Sequence, residues 1–113
     1  MAVTFETSYQ VGKDPVTLSI IIGDAQLGDS IVRLGKTVLG KGDIENLPVG
    51  KGPALAGKTL NIKSVVTDVS DKTNRTSIRY ALAGGTVPGT FDLNAMVPEE
   101  GASIIYRTQI HFE

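Results

Sequence analysis

The segment Gly52-Pro53-Ala54-Leu55-Ala56-Gly57-Lys58-Thr59 matches the phosphate-loop pattern G-x-x-x-x-G-K-[ST] at every specified position. In such a loop the glycines let successive backbone amides surround a nucleotide's phosphates. The lysine reaches the β- and γ-phosphates and the hydroxyl holds Mg²⁺. That chemistry needs a buried parallel strand before the loop and a helix N-terminus after it, because the helix aims the amides and adds its dipole. Here a Gly/Pro-rich segment precedes the motif, and residues 59–66 that follow it have strand composition. The Gly-Lys pair also recurs at Gly12-Lys13, Gly35-Lys36, Gly40-Lys41 and Gly50-Lys51, which reads as turn punctuation. Nucleotide binding through Gly52 to Thr59 is therefore the least favoured of the functional readings.

Other residue types that carry chemistry are sparse. His111 is the only histidine, so a multi-histidine metal site is excluded and one candidate general base remains. It is in phase with Arg107, Gln109 and Glu113 on the polar side of the last strand, which places it on the surface. No serine lies in a G-x-S-x-G elbow. Cysteine is absent, which removes disulfides, thiolate metal sites and a thiol nucleophile. Asp24 and Asp29 in one loop and Asp68 and Asp71 in another could give carboxylates to Ca²⁺ if the loops share one end of the fold. Asp at turns also caps backbone amides through Asx geometry, and neither loop has EF-hand spacing. No cofactor is implied.

Asn74-Arg75-Thr76 is a glycosylation sequon without a secretory leader in this chain. Lys63, Arg75, Arg79 and Arg107 are all outward-facing by phase and are expected to form one modest basic face. With 11 Lys and Arg against 12 Asp and Glu there is no global field to gather phosphate backbones, and aromatic residues at 5% are too few for a stacking platform. Neither nucleic acid nor membrane is an expected partner. The most apolar run, Leu18-Ser19-Ile20-Ile21-Ile22, is far shorter than the roughly 20 residues a spanning helix needs. A soluble, cytoplasmic chain is the default expectation.

The elements that must position these residues follow from period-two alternation. Residues 3–11 alternate with Val3, Phe5, Thr7, Tyr9 and Val11 on one side. After Gly12-Lys13-Asp14-Pro15, residues 16–22 resume in phase, and the two segments are expected to neighbour each other. A short, weakly phased strand over residues 30–34, with a continuation at 37–39, is expected next. Residues 40–57 read as a long connection, with one helical turn at residues 43–47 limited by Pro48. Residues 59–69 make the longest strand, with a bulge or two-sided burial expected where Val65 and Val69 break phase. Residues 68–74 then turn it into residues 76–82, the strongest hairpin by pattern. Strands over 91–97 and 104–112 complete the set.

About seven strands with no long helical period predict an all-β domain spanning residues 1–113. Its expected form is an antiparallel two-sheet β-sandwich, immunoglobulin-like or Greek-key. The Trp and Cys marks of antibody domains are absent. The leading functional expectation is a non-enzymatic protein-interaction or assembly module, binding a protein partner or another copy of itself as a homo-oligomer. The alternative is a carbohydrate- or Ca²⁺-binding module using the loop aspartates.

Overall fold

Alternation becomes burial across almost every strand. The computed structural model describes residues 1–24 and 26–113. Among them are nine strands: β1 (Ala2–Tyr9), β2 (Pro15–Ile22), β3 (Leu27–Leu34), β4 (Thr37–Gly42), β5 (Leu47–Lys51), β6 (Thr59–Thr67), β7 (Arg75–Ala83), β8 (Gly89–Met96) and β9 (Ser103–Phe112). One helical turn, α1 (Gly52–Leu55), lies between β5 and β6. The strands form a five-stranded sheet in the order β1-β9-β6-β3-β4 and a four-stranded sheet in the order β5-β2-β7-β8. Leu18, Leu60, Ile78, Tyr80, Tyr106, Ile110 and Phe112, from both sheets, are fully buried between them. The expected all-β, two-sheet sandwich is the observed architecture.

The pairing differs from expectation in three places. β1 does not neighbour β2. It joins β9 in parallel, from Ala2 opposite Ile105 to Tyr9 opposite Phe112, while β2 lies inside the other sheet between β5 and β7. The chain is carried across at Val11, whose amide bonds to the Glu113 carbonyl at 2.8 Å, and Glu113 in turn bonds to Tyr9. β6 and β7, the expected hairpin, belong to opposite sheets. A seven-residue connection is long for a hairpin, and residues 68–74 bridge the sheets. β6 also runs in unbroken register with both neighbours, so it has no bulge; Val65 is on the open outer face and Val69 lies beyond the strand's end.

The glycine-rich stretch is more ordered than its composition suggests. β4 extends to Gly42 and β5 occupies residues 47–51, which raises the strand count from about seven to nine. Asn46, with φ of 48°, breaks any helix at residues 43–47, and the helical turn forms later, where Pro53 can occupy its first positions. Gly40 shows why a strand can use glycine here. A Cβ on it would stand 3.1 Å from Leu47 and 3.2 Å from Ile44, so its absence lets the β4–β5 loop pack closely.

The core contains a polar layer. Ser30 on β3 and Ser64 on β6 are cross-strand partners whose hydroxyls bond at 2.7 Å. Tyr106 on β9 bonds through its hydroxyl to Thr76 Oγ1 on β7, and Thr76 donates onward to the Ala95 carbonyl at 2.8 Å. Tyr80 and Thr108 are equally buried, yet their hydroxyls have no hydrogen-bond partner.

Candidate functional site

The phosphate-loop segment is built for packing. Four of its amides are already bonded to protein carbonyls: Gly52 to Asp14, Ala56 to Gly52, Gly57 to Phe112 and Lys58 to Leu55. β6 follows it directly, as its composition predicts. A Cβ on Gly52 would fall 2.0 Å from the Gly12 carbonyl oxygen, and Gly57 has φ of 85°, a conformation that side chains rarely adopt. Close approach and backbone geometry thus account for both glycines of the pattern.

His111 lies on the outer face of the five-stranded sheet, as its phase predicts, and both ring nitrogens are engaged. Nε2 meets Glu6 Oε1 on β1 and Nδ1 meets Thr59 Oγ1 on β6 at 2.8 Å. An ionised carboxylate only accepts, so Nε2 carries the hydrogen, and in the neutral ring Nδ1 accepts from the Thr59 hydroxyl. The chain of three side chains ties β1, β9 and β6 together on an open sheet surface.

The loops that hold Asp24 and the pair Asp68 and Asp71 do share one end of the sandwich, where Gln26 bonds to Val69 and Ser70, but the four candidate aspartates have separate roles. Asp24, with φ of 57°, pairs with Arg75 at 3.6 Å. Asp29 is in β3 rather than in a loop, opposite Val65, because that strand begins at Leu27. Asp68 is fully buried and its Oδ1 accepts from the Ser70 amide at 3.1 Å, an Asx turn, while Oδ2 has no partner. Asp71 is exposed in the β6–β7 connection. Among the described residues no three His, Asp or Glu side chains converge as metal ligands. Within the sequon, Thr76 is a core residue.

The expected basic face divides between the two sheets. Arg75 and Arg79 lie on the four-stranded sheet and each has an acid. Arg79 forks onto its cross-strand partner Asp92 through bonds of 2.7 and 3.2 Å, which raises the guanidinium pKa and holds the Asp92 carboxyl below its ordinary value. Lys63 and Arg107 lie on the five-stranded sheet and are joined there by Arg33 and Lys41. The weak phase of residues 27–34 hid Arg33 from a reading of the sequence, and the glycines of β4 hid Lys41.

A second feature is an open notch of about 570 Å³ beside β2, lined by Ile20, Ile21, Ile22, Leu27, Ile44 and the acids Asp43 and Glu45, among others. β5 pairs with β2 only from Pro15 to Leu18. Past that point the β4–β5 loop takes over, with the Ile20 amide bonding to the Ile44 carbonyl at 2.9 Å and the Asn46 amide bonding to Ser19 Oγ at 2.9 Å. The Gly23 amide turns the other way, to Ser77 on β7. Because successive residues of an antiparallel strand point their backbone groups to alternate sides, Ile22 directs its N–H and C=O into the notch. Ile21 and Leu27, more than half exposed, flank it.

Comparison with protein-family models, with curated proteins and with solved structures returned no match.

Proposed function

We propose that this chain is a non-enzymatic protein-interaction or assembly module whose docking surface is the open half of β2. Every other strand edge carries a feature that discourages pairing: Glu6 on β1, Lys41 on β4, Pro48 and Lys51 on β5, Asp92 on β8. Beyond Ser19 and Ile20, which bond to the β4–β5 loop, the open end of β2 is Ile21-Ile22, with neither charge nor proline. The observation that carries the reading is the Ile22 backbone, whose donor and acceptor face a notch of mixed isoleucine and acidic lining at the end of a paired edge. An extended segment added there gains main-chain hydrogen bonds and seats alternate side chains against Ile20, Ile22 and Ile44. Asp43 and Glu45 at the rim favour a cation flanking that segment.

A second copy of the chain is the occupant to test first, by sedimentation equilibrium on the wild type and on Ile22→Pro. Proline deletes the donor at a position where its N–H faces away from β7, so the fold tolerates it. The wild type is expected to self-associate with rising concentration and the variant to remain monomeric with a similar far-ultraviolet spectrum. A wild type that stays monomeric and also selects no extended peptide from a displayed random library would contradict the proposal.

A further inference from the structure

The outer face of the five-stranded sheet contains an arrangement that costs stability unless something outside the chain repays it. Lys63 and Arg107 are direct cross-strand partners. Their pairing type follows from the backbone: the Phe112 amide bonds to Lys58 and the Asp68 amide to Ala102, so the hydrogen-bonded positions of β6 are the even-numbered ones. Lys63 and Arg107 therefore form a non-hydrogen-bonded pair, the closer kind, with Cα atoms about 4.5 Å apart. Like charges directly opposite one another are unfavourable. Arg33 lies beside them, opposite Asn61, and Lys41 extends the row on β4 opposite Ile31. Among the described residues none of these four cations has a carboxylate within 4 Å. Of the acids on this face, Glu6 is held by His111, and Asp29 lies opposite Val65, one diagonal position from Lys63 and without an ion pair to it.

Arg33, Lys63 and Arg107 line one depression of about 290 Å³ together with Thr4, Asn61 and Gln109, and no carboxylate lines it. We propose that this depression binds an oxyanion, the phosphate or sulfate group of a small molecule. Two guanidinium groups offer planar pairs of donors suited to such oxygens, and the lysine adds a point charge. The amides of Asn61 and Gln109 and the Thr4 hydroxyl supply neutral donors. No aromatic side chain lines the depression, so a nucleic-acid base finds no stacking partner in it. The Gly52–Thr59 segment takes no part, and the site is independent of the β2 notch.

The test is a titration of the ¹⁵N-labelled chain with inorganic phosphate, and in a second arm inorganic sulfate, at low ionic strength. Saturable shifts are expected at the amides of Arg33, Asn61, Lys63 and Arg107. Lys63→Gln and Arg107→Gln are each expected to weaken binding at least tenfold, while raising the melting temperature or leaving it unchanged as the like-charge pair is removed. Lys58→Gln is expected to bind as the wild type does. Loss of binding with Lys58→Gln but not Lys63→Gln would move the site to the loop and overturn the assignment. So would the absence of saturable shifts, or binding of a sulfated oligosaccharide or single-stranded DNA without a saturable response to either inorganic anion.

Discussion

Among single residues, Tyr80 and Tyr106 make the sharpest contrast. Both rings are fully buried, but only the Tyr106 hydroxyl has a partner, Thr76; the Tyr80 hydroxyl points toward those of Thr108 and Ser64 without completing a bond. A buried hydroxyl without a partner bears its desolvation cost uncompensated. Denaturant unfolding should find Tyr80→Phe at least as stable as the wild type, whereas Tyr106→Phe, which strands part of the Thr76 pair, should lose about 1 kcal/mol. Burial raises both phenols above the ordinary value of 10.0, with the Asp24 carboxylate adding to the effect at Tyr106. The neutral form is thus favoured by the fold. Its contribution is fully present below pH 10 and is lost as pH rises through and beyond it. Denaturation midpoints measured across that range should fall, and should fall less in Tyr80→Phe. The inward phase of both tyrosines is readable in the sequence, but which hydroxyl finds a partner depends on the facing sheet.

For whole elements, alternation told which face of each strand is wet and left its partner undetermined. β6 and β7 both turn even-numbered residues inward, and that pattern suits a hairpin in one sheet and a bridge between two sheets equally well. What fixes the bridge is Gln26, buried just before β3. Its Oε1 accepts from the amides of Val69 and Ser70 at 2.8 and 3.3 Å, and its Nε2 donates to the Arg75 carbonyl at 2.9 Å. A glutamine more than 40 residues from the loop it holds leaves no local signal, so the crossing was not legible. Gln26→Ala should cost about 2 kcal/mol, since it orphans buried backbone groups. The same change should speed hydrogen exchange at the Val69 amide well beyond the rest of β6; equal protection in both proteins would show that the loop is held by other means.

At the level of the molecule, the two side edges of the sandwich differ. On one, β1 and β8 are closed together by Phe5 and Phe91, whose ring centroids are 6.0 Å apart. On the other, β5 stops short and exposes β2 at Ile22. The apolar run of residues 18–22 was visible in the sequence, but its exposure follows from the length of β5, in a stretch that reads as loop. The candidate site was legible in composition and illegible in position. The measurement that bears most directly on the interaction module is residue-resolved hydrogen exchange of the free chain at low and at high concentration. The account predicts that the Ile22 amide exchanges freely when dilute and becomes at least tenfold more protected on association, while Ile21, already paired with β7, changes little. Association that protects β1 or β8 and leaves Ile22 exchanging as before would contradict it.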